Sequence, residues 1–329
     1  MRIVTTLPSA TETAAALGVE PIGVSHGCDY PPSVASRPAI TRSTVDPDAK
    51  SGEIDSQVLE AAEDGGVYDV DTETLEALSP ELILTQGMCD VCAVDEVVIA
   101  DAVAEIDADP DVLTTDPHCV ADVLEDLERL GGAIGREDRA RTVRQRLEAR
   151  IERVRERTAD LEAEKRPRVA IFDWTDPVMI AGHWTAELVS WAGGEYGLAE
   201  VGDRSRPREW AEIVDYDPEL VIVAPCGFDL AQTAENRRDL TDREGWNELT
   251  AVREGRVWAL DGDQYLNRPG PRLLTTLEAL ARIIQPDIFE DLEFDDTFEE
   301  FETPTPSLEE MAVPFSELDR IETVGKPSP

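Results

Sequence analysis

One uninterrupted stretch, Asp138 to Glu164, constrains what this chain can fold into more than any other. It meets no glycine or proline before Pro167. Its apolar positions Ala140, Val143, Leu147, Ile151, Val154 and Leu161 recur at steps of three and four, with Thr158 filling the gap. Those steps lay a single narrow stripe along one side of a helix. The remaining surface is charged, and Arg144 stands four residues before Glu148, where opposite charges meet across one turn. At 1.5 Å per residue the predicted helix is about 40 Å long, the width of a domain. Strands alternate with helices on both sides of it, so the pattern predicts a strut between two α/β lobes. A coiled-coil dimer stem is the competing reading, but Thr158 would sit in a seam of only a few heptads.

The length, 329 residues, suits two domains better than one core. The division predicted is an N-terminal α/β lobe (1–118), linking helices (119–165), a C-terminal α/β lobe (166–285) and an acidic, phenylalanine-bearing tail (286–329). With 71 Asp and Glu against 30 Lys and Arg the formal charge is −41. Such a charge repels nucleic acid and anionic membranes and strains the fold by self-repulsion in dilute buffer. Salt screens that repulsion, so the acidity reads as adaptation to a salty, halophilic milieu. No segment approaches a membrane span, and Met1 leads straight into a strand with no leader or lipid-bearing cysteine. The expectation is therefore a cytoplasmic monomer. Five cysteines, an odd number, then favour free thiols or metal ligands over disulfides.

In chain order, the strand Arg2 to Leu7 precedes Ser9 and Glu12, a spacing that predicts a capping box on a helix running to Gly18. Pro21 to Ser25 reads as a short strand and Arg37 to Gly52 as loop. Helices follow at about Glu53 to Glu63 and Thr72 to Leu78, and a strand at Glu81 to Thr85. A helix from about Val94 to Ile106, a strand at Asp111 to Thr115 and a glycine-interrupted helix from Val120 to Ile134 lead to the strut. The second lobe repeats the pattern. Strands fall at Arg168 to Trp174, Val178 to Ala181, Glu219 to Ala224 and Arg256 to Leu260, and a closing helix at Arg272 to Ile284. Near-continuous apolar strands between helices predict parallel sheets covered on both faces. The tail carries fourteen acidic and two basic residues yet holds five of the seven phenylalanines, so its first half should dock on the body.

Ligands of open parallel sheets sit beyond the carboxyl ends of the strands. Every histidine and cysteine here follows a predicted strand: His26 and Cys28, Cys89 and Cys92, His118 and Cys119, His183, and Cys226. The joint placement predicts one cleft using several of them, with Cys119 kept as packing at a helix start. Cys89-x-x-Cys92 with His26 and Cys28 has the ligand types of a tetrahedral zinc site. Alternatively the pair is a redox dithiol beside a helix N-terminus. Trp174, Trp184, Phe228 and Tyr265 lie on the same loops and suit a large flat ligand. No phosphate-binding glycine loop and no Ser-His-Asp order stands out.

Six stretches carry a resemblance. They are Leu7-Pro8-Ser9-Ala10-Thr11-Glu12, Ser25-His26-Gly27-Cys28-Asp29-Tyr30-Pro31, Leu84-Thr85-Gln86-Gly87-Met88-Cys89-Asp90-Val91-Cys92, Ala181-Gly182-His183-Trp184, Ala224-Pro225-Cys226-Gly227-Phe228 and Arg268-Pro269-Gly270-Pro271-Arg272. In order and spacing the chain resembles the cobalamin-binding, periplasmic-binding-protein-like family of solute receptors for ABC importers, in a cysteine-rich subgroup. The resemblance implies two Rossmann-like lobes joined by a backbone helix, and a corrinoid or other metal chelate as ligand. The candidate ligand contacts, taken from the strand-end loops and the matching stretches together, are His26, Cys28, Asp29, Cys89, Cys92, Trp174, His183, Trp184, Cys226, Phe228, Tyr265 and Arg268. The missing export signal and the acidic tail depart from the family pattern. The alternative function is a metal- or thiol-dependent enzyme using the same cysteines and histidines.

Overall fold

The computed structural model describes residues 1–63, 66–88, 94, 96–292 and 305–321. The first lobe holds β1 (Ile3–Thr5), α1 (Pro8–Ala16), β2 (Thr41–Ser43), α2 (Ser51–Glu63), β3 (Tyr68–Val70), α3 (Thr72–Leu78), β4 (Leu82–Gln86), α4 (Glu96–Ala104) and β5 (Asp111–Thr115). α5 (Val120–Ala133) and α6 (Glu137–Thr158) form the link. The second lobe contains β6 (Val169–Thr175), β7 (Val178–Ile180), α7 (Thr185–Trp191), β8 (Arg206–Pro207), α8 (Trp210–Tyr216) and β9 (Leu220–Val223). It continues with α9 (Leu230–Asn236), α10 (Arg238–Thr241), α11 (Thr250–Arg253), β10 (Val257–Leu260), α12 (Leu273–Ile284) and β11 (Ala312–Pro314).

β1, β4 and β5 pair in parallel, Ile3 against Leu82 and Leu82 against Asp111. Single bridges from Val4 to Gly23 and from Val24 to Ala39 extend this sheet, so the expected strand at Pro21 to Ser25 is only two bridges long. The second sheet runs β11-β10-β9-β6-β7-β8. Its centre is parallel, but β7, β8 and β11 are antiparallel. A tight turn at Asp176-Pro177 folds β7 back on β6, and such a turn makes the pair antiparallel. In the expected loop after Arg37, β2 forms and pairs antiparallel with β3 across the intervening α2.

Alternate strand residues enter different cores, which is why these strands are apolar at every position. Ile3, Leu82, Leu84, Val169 and Ile171 face one core, whereas Val4 and Ile83 face a second and Ala170 and Phe172 a third. The first of these cores is continuous through both lobes. It takes in Val143, Leu147, Ile151 and Val154 of α6, then Leu188 and Leu277. The stripe is thus satisfied inside one chain, which removes the reason for a coiled-coil partner. Gly131 permits the α5–α6 contact, because a Cβ there would lie 2.4 Å from the Ala140 Cβ. α5 runs straight through Gly131 and Gly132, where the sequence predicted an interruption.

α6 stops at Thr158, short of the predicted Glu164. Arg166 Nη2 and the Leu161 N–H both donate to the Thr158 carbonyl, and Thr158 Oγ1 donates to the Trp191 carbonyl at 2.8 Å. These bonds use the helix end and turn the chain toward β6. Midway along α6, buried Arg150 grips Glu278 of α12 with two bonds of 3.0 and 2.8 Å and reaches Thr275 Oγ1 at 3.0 Å. The tail docks: Phe289 and Phe315 are buried, and β11 adds an edge strand to β10. Phe294, Phe298 and Phe301 lie outside the described residues.

Candidate functional site

α1 begins at Pro8, whose fixed φ and missing N–H suit a first helical position, and its N-cap Leu7 makes no side-chain bond. Ser9 and Glu12 therefore lie inside the helix, and the predicted capping box does not form. Glu12 instead reaches the second lobe. Its Oε1 accepts from Arg268 at 3.3 Å and from Arg272 at 3.2 Å. Arg268 also holds Asp29 in a fork, Nη1 to Oδ1 at 2.5 Å and Nη2 to Oδ2 at 3.2 Å, and donates from Nε to the Asp263 carbonyl. Arg272 lies between the rings of Tyr30 and Tyr265, 4.2 and 4.8 Å from their centroids, and donates to Gln264 Oε1 at 3.2 Å.

Glu12 is fully buried, Arg268 is 5% exposed and Arg272 7%. Burial raises the Glu12 pKa against the lowering pull of Arg272 and Arg268. Burial draws Arg268 down, but Asp29 and Glu12 outweigh it and hold the guanidinium protonated. Glu12 Oε2 has no hydrogen-bond partner, so a buried acceptor is left open at the seam between the lobes. A side chain at Gly270 would press on it, its Cβ 3.3 Å away.

A second seam lies at the other side of the strand ends. Ser51, at the start of α2, donates its N–H to Asn236 Oδ1 at 3.2 Å and its hydroxyl to Asp239. Lys50 Nζ donates to the Glu235 carbonyl at 2.9 Å, and Gln232 Nε2 to the Pro47 carbonyl at 2.9 Å. The lobes therefore touch well beyond the single linking helix that the sequence emphasised. Between the seams, at the ends of β6 and β9, Trp174 and Phe228 pack at 5.1 Å between ring centroids with planes tilted by 54°. Trp174 Nε1 is held by the Asp176 carbonyl at 3.1 Å. Trp174 keeps a partly exposed face, whereas Phe228 is buried.

The remaining expected residues divide. Cys28 is buried beside Val24 and Val34, its Sγ 3.0 Å from Thr11 Oγ1. Burial pushes its thiol up to about 12, so it packs here as a protonated thiol. His26 is exposed, its Nδ1 2.9 Å from Thr41 Oγ1 and its ring 5.7 Å from that of Tyr68. Cys226 is partly buried, with its N–H on the Asp173 carbonyl at 2.9 Å. Trp184 is core: it is buried, and its Nε1 donates to the Leu266 carbonyl at 2.9 Å. His183 departs from the cleft because β7 runs antiparallel, so its end points away from those of β6, β9 and β10. There the His183 ring meets His118 at 5.4 Å and Trp184 at 5.5 Å. Burial, then His118 and Arg204, lower its pKa to about 4.

Cys89 and Cys92 lie outside the described residues, so the four-residue zinc set and the shared thiol cleft are not placed here. Among the described residues no group of three or more His, Cys, Asp or Glu side chains is arranged to hold a metal ion. Four residues escaped the sequence reading of the site: Glu12, Tyr30, Arg272 and Asp261. Asp261, at the end of β10, has its carboxyl raised to about 7 by burial. The signal for the arginines was present, since Arg268 and Arg272 bracket the Pro-Gly-Pro turn.

Residues 3–264 match the family described as periplasmic binding protein. A Bacillus subtilis protein described as the uncharacterized ABC transporter substrate-binding lipoprotein YvrC is 24% identical over 303 residues, 88% of this chain and 82% of its own. Among solved structures, the periplasmic vitamin B12 binding protein BtuF of Vibrio cholerae superposes with a TM-score of 0.59 at 19% identity, covering 88% of this chain and 98% of its own. A periplasmic heme binding protein from Pseudomonas aeruginosa gives 0.65 at 19% identity, covering 87% and 92%. At these identities the structural likeness establishes the fold alone.

Proposed function

Since the chain belongs to the periplasmic binding protein family, we propose that it is an ABC importer's substrate receptor that carries a metal chelate between its lobes, with a corrinoid as first candidate. The observation that carries this reading is the Trp174–Phe228 pair at the strand ends, flanked on each side by polar contacts between the lobes. An aromatic floor with polar groups at its edges fits a large ring-bearing ligand. BtuF and the Pseudomonas protein, which are named for vitamin B12 and heme, support the chelate class without choosing its member. The alternative, a metal- or thiol-dependent enzyme, draws no support from Cys28, whose thiol burial keeps protonated.

A receptor of this kind works outside the cytoplasmic membrane. The Bacillus relative is described as a lipoprotein, which supports an extracytoplasmic site in place of the cytoplasmic expectation. Among the described residues no helix is long and apolar enough to cross a membrane. The importer is the proposed partner, with the protein acting as a monomer. The charge of −41 supports a halophilic setting, in which the melting temperature rises from dilute buffer to molar KCl; a flat response would remove that reading. The ligand is tested by calorimetric titration of the apo-protein in molar KCl, first with cobalamin and then with haemin. One-to-one binding of about micromolar strength or tighter is expected for one of them. Absence of heat with both overturns the assignment.

A further inference from the structure

We propose that residues 47–52 form a releasable strap across one side of the cleft, and that ligand passes when this strap leaves the second lobe while the Glu12–Arg268–Arg272 side stays joined. What passes rests on the receptor reading above; the opening of the strap does not.

The strap is held at four points, all on α9 and α10 or the residues they carry. Gln232 holds the Pro47 carbonyl, the Glu235 carbonyl holds Lys50, Asn236 holds the Ser51 N–H, and Asp239 holds the Ser51 hydroxyl. Asp239 is itself fixed by Thr175 Oγ1 at 2.9 Å. Asp46, Pro47, Asp48 and Lys50 are exposed, so little apolar area keeps the strap down. At Gly52 a Cβ would lie 2.9 Å from Asp176 Oδ2, so the strap backbone rides against the β6–β7 turn. Asp55, Asp176 and Asp239 gather along this seam, and Arg243 reaches Asp176 at 3.4 Å. Each strap bond has at most one charged partner, Lys50 on a carbonyl or Asp239 under a hydroxyl. The opposite seam sets two buried guanidinium groups on carboxylates, one as a fork, and bonds charged on both sides are the stronger.

Strand order shows what the difference does. In the strand order β10-β9-β6-β7, the arginine seam follows β10, Phe228 follows β9, Trp174 is the last residue but one of β6, and the strap meets the β6–β7 turn. The aromatic pair is thus bracketed, and release of the weaker bracket uncovers it without parting the stronger.

Hydrogen–deuterium exchange of the apo-protein in molar KCl tests this without any ligand. Asn236→Ala removes the acceptor of the buried Ser51 N–H, and Gln232→Ala removes a bond at the exposed end of the strap. Exchange in the peptide covering 47–54 should rise about tenfold in Asn236→Ala and less in Gln232→Ala, with peptides holding Glu12 and Arg268 unchanged. An equal rise in all three peptides, or none in the strap, overturns the proposal. Stopped-flow mixing with cobalamin and haemin then reads passage, which the variants should speed several-fold. A chain that binds neither probe but shows the selective exchange keeps its strap and loses the receptor reading. Unchanged association of a bound probe in both variants overturns the strap's role in passage.

Discussion

Glu278 and Glu12 are both fully buried, and each takes arginines from a distant part of the chain, 128 residues away for Arg150 and 256 for Arg268. They differ in how completely they are satisfied. Glu278 uses both oxygens, on Arg150 and on Arg153, and Arg150 has Thr275 as well. Glu12 uses one oxygen and leaves Oε2 open, and its partner Arg268 is shared with half-exposed Asp29. Burial without full pairing is costly, and it persists where other demands hold it in place. The Arg150–Glu278 contact is therefore a structural joint between α6 and α12. The Glu12 seam leaves a polar atom not wholly committed to the protein, on the side where the proposed ligand would lie.

The largest test of this contrast is Glu278→Ala, which strands the Arg150 guanidinium in the core. Loss of one partner from a buried pair costs about 3–5 kcal/mol, so denaturant unfolding in molar KCl should show a drop of that size. A loss below about 1 kcal/mol would erase the distinction. Glu12→Ala should cost less, about 1–2 kcal/mol, because Arg268 keeps Asp29 and Asp263 while Arg272 keeps Gln264 and two rings. Its effect on chelate affinity should exceed its effect on stability, as parallel calorimetry and unfolding would show.

The His118–His183 contact sharpens the picture with pH. His183 has a folded pKa of about 4, below the 6.5 of the unfolded chain, so the folded state resists its proton. Its stability contribution is complete above 6.5 and is lost as the pH falls toward 4. Asp261 runs the other way: raised from 3.8 to about 7, it contributes stability at low pH that is lost as pH rises through 7. Melting temperatures from pH 7.5 to 5 should therefore fall more steeply in the native protein than in His183→Gln. Equal slopes would show that the ring does not titrate from a buried state. The smallest effect concerns thiols: Cys28 should alkylate far more slowly than Cys119 or Cys226, read by mass spectrometry of the labelled peptides.

Periodicity made the architecture legible. The α6 stripe, the apolar strands and the short helix Thr72–Leu78 all follow from local spacing, and each is satisfied by packing that any apolar residue of the right size provides. The tertiary role of a polar side chain has no such period. Ser9 and Glu12 have the spacing of a cap, but Pro8 starts the helix earlier and frees Glu12 for arginines 256 and 260 residues away. His183 follows a strand as predicted, yet strand direction decides which end it occupies, and direction is not written in the alternation of Val178 to Ala181. Cys28 sits in a motif with a histidine and an aspartate, and only the fold shows that it points at Thr11. Trp174 lies at the strand end as read and keeps a partly exposed face, whereas Trp184, Phe228 and Tyr265, read from the same kind of position, are buried, because exposure depends on what packs over each loop.

One paired titration tests the aromatic floor between the lobes most directly. Cobalamin and haemin are titrated in molar KCl into the native protein and into Trp174→Ala, with the unfolding of each protein recorded in the same buffer. A chelate resting on the aromatic pair between the seams should bind the variant about tenfold more weakly, with stability little changed. Unchanged affinity in Trp174→Ala would place the ligand elsewhere and contradict the site described here.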